Sequence, residues 1–436
     1  MKTLRQRTSL RVFLLLLYHW LVIALAEISK KPWFLWVAFG VPAGITFLQF
    51  VAPYEPTFKA QNIAVWFGIA GGIVVSVLWL SYKGVGKSSR VFQVLLTLIV
   101  LTWLYQSVLQ FQDGYSFNHT TYFLPLLMIL IFLKAPTRDQ IWVAGLVLGY
   151  SLATIMLVSL FSGGHFGIPS GFDVSDRGPS RFPIISDIFG IELRWGGAFG
   201  SVNLVTPAGA LIVMLGTLYG KWHRITFLST GIVVLFLGQA RTAYFALGFA
   251  LLVLLVWSKW LNRVRFSAFI KWVLMGAAFV SAVSYIYIFD PSLALRVPVW
   301  RDYLGILQDS FLRGAGSSGV DLYVSEMAVT ESGRMIHNHG HSIYVDGLVR
   351  YGIVWLLLTL SIFAVAALIA WKARHGPLSS RGMAIVLFVF FAGLTETIFS
   401  WAYVTIYLLA LILVAGLSTC AVTESDLSGS EENTRL

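Results

Sequence analysis

Residues 335–348 read "MIHNHGHSIYVDGL" and place His337, His339 and His341 on alternate positions. Imidazole exchanges a proton near neutral pH and, when neutral, ligates metals. In an extended strand the three share a face; in a helix, 337 and 341 share one and 339 turns away. Three chemistries fit. Zinc could be held by the imidazoles with Asp346 as a fourth ligand. A histidine at a helix start could move a proton or contact substrate. The third is polar packing of a loop. No H-E-x-x-H pattern is present, and Gly340 and Gly347 indicate a loop that becomes a helix near Tyr344.

Arginine is the second residue type able to do chemistry. The polar stretches Gly163 to Gly200 and Pro291 to Arg350 contain no lysine. They carry Arg177, Arg181 and Arg194 in the first and Arg296, Arg301, Arg313, Arg334 and Arg350 in the second, with Arg241 nearby in "GQARTAYF". A guanidinium offers a rigid fork of donors to phosphate or carboxylate and stays charged when partly buried. Pairing with loop acids is the plain alternative to anion binding. "RWGGAFGSVNLVTPAGAL" (194–211) sets Arg194 beside a glycine-rich turn that enters a helix, with Asn203 or Thr206 as a cap and Pro207 early in the helix. Such a helix start can also face an anion. "GAGSSG" (314–319) matches G-x-G-x-x-G, but no βαβ pattern surrounds it, so it reads as a tight turn whose backbone N–H groups can approach an anion. Glu396, in "GLTETIFSW", is an ionisable group near the end of an apolar run and a functional candidate on that ground.

The elements that position these residues are membrane helices. Of the 436 residues 57% are hydrophobic and 12% charged, too little charge to cover a soluble protein of this length. Apolar runs lie near 10–27, 33–52, 62–82, 91–111, 121–134, 140–162, 203–220, 224–239, 242–258, 272–289, 351–371, 382–399 and 401–419. The short basic segments "YKGVGKSSR", "KAPTRDQ", "GKWHR", "SKWLNRVR" and "WKARH" belong inside, which puts both long loops outside. The basic start of the chain and "SKK" (29–31) also want to be inside, so one of the first two runs, 10–27 by preference, is expected not to cross fully. The reading is an all-α polytopic integral membrane protein of about 12 transmembrane helices. Its parts are N-terminal helices 1–162, a first outer loop 163–202, central helices 203–290, a large outer loop with the histidines 291–350, C-terminal helices 351–420 and a cytoplasmic tail 421–436. No cleavage pattern follows the first run, so no cleavable leader is expected. Cys420 stands alone, which excludes an internal disulfide and a cysteine metal site. The net charge of +11 sets topology and does not indicate nucleic acid.

In order along Arg194 to Trp401, "RWGGAFGSVN", "GQARTAYFALGFALLVLL", "RVPVWRDYLGILQDSFLRGAGSSGV", "HNHGHSIYVDGLVRYGIVWLLL" and "GLTETIF" resemble the O-antigen ligase and O-antigen polymerase superfamily of bacterial membrane glycosyltransferases. The resemblance implies a GT-C-like helical fold at the inner membrane, with the site facing the periplasm or exterior. It implies transfer of a glycan from undecaprenyl diphosphate to a hydroxyl of lipid A–core or of another carrier-linked glycan, with no metal or other cofactor. A chain-length regulator is an optional partner beside the membrane lipids. By the same resemblance His341 is the catalytic histidine and His339 flanks it. Ser342 stands where the family usually has asparagine, and Tyr344 is the motif's aromatic residue. Arg241 inherits diphosphate binding and Arg194 the arginine of an Arg-x-x-Gly element. Arg296 and Trp300 match the loop pattern, Arg301 being able to serve for Arg296, and Glu396 matches a late acidic position. The other function classes left by the residues are a transporter of an anionic or lipid-linked substrate and a zinc hydrolase built on the histidines.

Overall fold

The computed structural model describes residues 90–113, 138–161, 195, 202–256, 300–307, 310–316, 318–320, 322, 342–372, 377–395, 407–408 and 410–418. The runs near 10–27, 33–52, 62–82, 121–134 and 272–289 lie outside them. Among the described residues seven helices are defined: α1 Arg90–Gln112, α2 Arg138–Phe161, α3 Val202–Leu218, α4 Lys221–Gly238, α5 Arg241–Val256, α6 Ile343–Lys372 and α7 Pro377–Thr395. Shorter helical stretches cover 300–305 and 410–418, and no strand occurs among the described residues. The stretches Arg90–Gln110 and Ile343–Lys372 are long and apolar enough to cross a membrane; Val205–Leu218, Trp222–Gly238, Arg241–Leu255 and Ser380–Leu394 are shorter apolar helices. Apolar side chains on all sides explain the helices, since a helix without a polar face must sit in protein or lipid.

α3 and α4 form an antiparallel hairpin whose backbones nearly touch. A Cβ placed on Gly231 would stand 2.7 Å from the Gly209 carbonyl oxygen, and one on Gly216 would stand 3.1 Å from Phe227 Cβ. The pairs Gly209/Gly216 and Gly231/Gly238 each repeat after seven residues, so each lies on one helix face. Small residues on facing stripes let helices approach to backbone contact, where van der Waals packing is strongest. α2 closes on this hairpin through Gly149, which lies under the Phe227 ring, and through Tyr219, whose hydroxyl donates to the Trp142 carbonyl at 3.0 Å. α5 meets α7 at Phe249 and Phe391, with ring centroids 4.3 Å apart.

These contacts sort the helix ends into two groups. Tyr219, at the α3–α4 turn, lies against Gly145 of α2, which also meets Leu413; Val414 in turn meets Gly382 of α7, which lies near Ala370 of α6. This end holds the basic segment around His223 and Arg224, with the Tyr150 hydroxyl 2.8 Å from His223 Nδ1. The opposite ends of α4, α6 and α7 carry residues 237–241, 342–344 and 393.

Candidate functional site

Arg241 owes its position to a two-residue reversal. α4 ends at Gly238, where a Cβ would strike the Thr206 hydroxyl. Gln239 then takes the left-handed conformation (φ 56, ψ 35), its N–H bonded to the Leu235 carbonyl, with its side chain fully buried. A non-glycine residue there is uncommon and costs about 1 kcal/mol or more, so the packing around it must impose it. The Ala240 N–H donates to Thr206 Oγ1 at 3.3 Å, and Arg241 opens α5 with an exposed side chain. Thr206 therefore does not cap α3, which already begins at Val202; it receives the start of α5 instead. Trp195 is fully buried, and its N–H donates to the Leu237 carbonyl at 2.9 Å. The chain beside Arg194 is thus stitched to the turn that carries Arg241.

α6 begins at the same end. Ser342 is its N-cap: Ser342 Oγ accepts from the Val345 N–H and donates to the Gly393 carbonyl of α7, both at 3.5 Å. Ser342 therefore both caps α6 and ties it to α7, three residues before Glu396. Tyr344 is buried, and its hydroxyl donates to the Phe390 carbonyl at 2.9 Å. Its ring packs with Phe363 and Phe390, and Phe391 continues the aromatic contacts to Phe249 of α5. Tyr344 thus couples α6 to the helices behind Arg241. His337, His339, His341, Arg194, Arg296 and Glu396 lie outside the described residues; His341 immediately precedes Ser342, and Arg194 precedes Trp195.

On its other side α6 meets the segment 300–322. Arg301 is exposed on the helical stretch 300–305, next to half-buried Trp300. Tyr303 and Leu307 turn inward and pack with Val320 and Val349. The glycine turn follows, with Gly314 at φ 79 and Gly316 at φ 74. A Cβ on Gly316 would strike the Asp113 carboxylate from the end of α1. The Asp113 side chain thus lies against this turn.

Two residues singled out in the sequence have inward roles. Arg350 is buried and paired with Asp346, Nε to Oδ1 at 3.3 Å. It is an internal partner to a carboxylate, whereas Arg241 and Arg301 have exposed side chains. Asp346, the fourth ligand in a zinc reading, is engaged by that same pair. The signal was present in the spacing D-x-x-x-R, which puts the two on one helix face. Gly352 and Trp195 also escaped the sequence reading, because a glycine or tryptophan inside or beside an apolar run carries no distinct local signal.

The arrangement gathers an exposed arginine at a helix start, a stitched chain segment following a second arginine, and a capped helix N-terminus following a histidine. Helix N-termini and guanidinium groups both favour negative charge. Residues 225–360 match a family model described as O-antigen ligase. The matched span runs from α4 through Arg241, Arg301 and the glycine turn into α6. No curated protein matches the chain significantly.

Proposed function

We propose that this chain, of which residues 225–360 match an O-antigen ligase family model, belongs to the O-antigen ligase and polymerase superfamily and is an integral membrane glycosyltransferase that moves a glycan from undecaprenyl diphosphate to an acceptor hydroxyl. In the reaction the acceptor oxygen attacks the anomeric carbon. The bond from that carbon to the diphosphate oxygen breaks, and undecaprenyl diphosphate leaves. The acceptor proton passes to neutral His341. Charge grows on the diphosphate as the bond breaks, and fixed cations in a site partly closed to water stabilise it without reorganising. Arg241 and Arg194 take that role, with Arg296 or Arg301 in support; His339 and Glu396 contact substrate. The site faces the outer side of a bacterial inner membrane, and the acceptor is lipid A–core or a second carrier-linked glycan.

The observation that carries this reading is the family match across the Arg241 turn and the start of α6. The backbone bond from Trp195 to Leu237, the bond from the Ala240 N–H to Thr206 Oγ1 and the Ser342 tie to Gly393 support it by drawing the chain beside Arg194, the Arg241 turn and the start of α6 to one end of the helices. The test is transfer by purified His341→Ala protein with a lipid-linked donor. Loss of acid–base help should lower the rate on the order of 10²–10⁴-fold while carrier binding persists. Near-normal transfer by that variant would overturn the mechanism. Product analysis separates the two acceptors: one addition to a lipid acceptor, or a ladder of lengthening carrier-linked chains.

A further inference from the structure

The outer part of α6 is built as a separate piece. In a continuous helix the Ile353 N–H would bond to the Val349 carbonyl. Here Gly352 stands between them at φ 79, ψ −179, and each half of that bond is made elsewhere. The Val349 carbonyl accepts from the Ala315 N–H at 2.7 Å, and the Ile353 N–H donates to the Phe311 carbonyl at 3.0 Å. The loop is spliced into the helix, one backbone bond exchanged for two. Both sides of the splice need glycine. A Cβ on Gly352 would strike the Leu312 carbonyl, and one on Gly314 would stand 2.6 Å from the Arg350 carbonyl oxygen and the Gly352 nitrogen.

We propose that the segment 300–316 is a positioning clasp for the transfer site, with Gly352, Gly314 and the Asp346–Arg350 pair as its positioning residues. It holds the first two turns of α6, and so the residue that precedes Ser342, on one rigid unit with Arg301. The inference rests on the proposed glycosyl transfer and deepens it. The unit has its own small core, Tyr303, Leu307, Val320 and Val349. Arg350 is buried with Asp346 inside it, close to Tyr303 and Tyr351. α1 braces the clasp from behind: the Tyr105 hydroxyl donates to the Leu312 carbonyl, and Gln106 and Gln110 both donate to the Tyr351 hydroxyl, at 3.2 and 2.9 Å. The Trp355 indole N–H returns a bond to Gln106 Oε1 at 3.2 Å, and its ring lies across Gly347. A proton acceptor and a cation that serve one anomeric carbon must keep a fixed separation. Carrying both on one clasped unit, set apart from the rest of α6 by a break, meets that need.

The experiment compares purified full-length Gly352→Ala, Gly314→Ala, their double variant, Asp346→Asn and Asp346→Glu with a Gly248→Ala control, whose Cβ would meet nothing within 4 Å. Transfer kinetics, thermal unfolding and amide exchange at Ala315 and Ile353 are read for each. The clasp predicts that Gly352→Ala lowers kcat on the order of a hundredfold, as a displacement of about 1 Å can. It also predicts donor KM within about twofold, because donor binding survives loss of a transition-state geometry. Exchange at both amides should accelerate, the double variant should be no worse than the weaker single, and Asp346→Glu should recover most of what Asp346→Asn loses. Faster exchange at both amides with kcat unchanged overturns the proposal. So does a fall in kcat that only tracks lost thermal stability across the series. Should Gly352→Ala not fold, Gly314→Ala and the Asp346 pair of variants decide by the same readouts. If His341→Ala stays active while Gly352→Ala does not, the catalytic assignment fails and the clasp stands. If His341→Ala is inactive while Gly352→Ala keeps its rate, the clasp fails and the assignment stands.

Discussion

Glycine does opposite work in the α3–α4 hairpin and in the first part of α6. In the hairpin, Gly209, Gly216 and Gly231 stay helical and matter for what they lack: without a Cβ, two backbones come to contact distance. In α6, Gly352 matters for what it can adopt, a backbone conformation at φ 79 that ends one helix and starts another. The first use makes a featureless apolar joint. The second frees backbone groups and then binds them to a loop, and it keeps a buried ion pair next to the break. A membrane helix tolerates such a break only where neighbouring groups satisfy the freed N–H and C=O. The difference separates a region built to pack from a region built to place side chains.

The largest expected effect tests whether the broken region is packed as tightly as the hairpin. Arg350→Met leaves Asp346 buried without its partner, and breaking a buried pair this way costs about 3–5 kcal/mol. Thermal unfolding in detergent should show the loss, and the double variant Asp346→Leu/Arg350→Met should recover most of it. Arg301→Met, at an exposed site, should change stability by no more than about 0.5 kcal/mol. Equal effects of Arg350→Met and Arg301→Met would mean that water reaches the break and that the contrast with the hairpin is false.

A smaller effect tests the other side. Gly231→Ala pushes a methyl toward the Gly209 carbonyl, and overpacking costs about 1–3 kcal/mol. Alanine returns about 1 kcal/mol of helix propensity, so a net loss is expected at Gly231. Gly248→Ala, with open space around it, should gain stability instead. Opposite signs at two helical glycines, measured as shifts in Tm, would sharpen the claim that the hairpin depends on absent side chains. A gain at both would break it.

Most of the helical frame among the described residues could be read along the chain. The apolar runs 91–111, 140–162, 203–220, 224–239 and 242–258 reappear as α1 to α5 with ends displaced by a few residues, because hydropathy reports whole helices well and their first turns poorly. α6 begins at Ile343, as Gly340 and Gly347 around Tyr344 suggested, and so starts ahead of the apolar run at 351. What stayed hidden are meetings between distant segments. "GAGSSG" announces a tight turn, but nothing local says that the turn inserts at Gly352, or that the Asp113 side chain lies against it. Gly352 sits in "RYGIVW", where a glycine is as compatible with an unbroken helix as with a break. Thr206 before Pro207 looks like a cap because capping is a local habit, whereas its bond to Ala240 depends on a helix pair closing 34 residues later. The glycines at 209, 216, 231 and 238 stand in paired seven-residue repeats, but nothing local says that the two stripes meet.

The smallest expected effect returns to the start of α6 and asks what holds it there. Ser342 caps the helix and reaches the Gly393 carbonyl, while the splice at Gly352 lies ten residues further on. Removing the hydroxyl in Ser342→Ala should cost about 1 kcal/mol, as loss of an N-cap does. Asparagine caps as well as serine does, so Ser342→Asn should hold stability close to that of the natural sequence. If the clasp positions the histidine, both variants should keep most of their transfer rate, since the splice and the Asp346–Arg350 pair remain. Amide exchange at Val345 should rise in Ser342→Ala alone. A collapse of transfer in Ser342→Ala with the splice amides still protected would move the positioning role from the clasp to the cap. The break in α6 would then be a joint like the hairpin, built for packing.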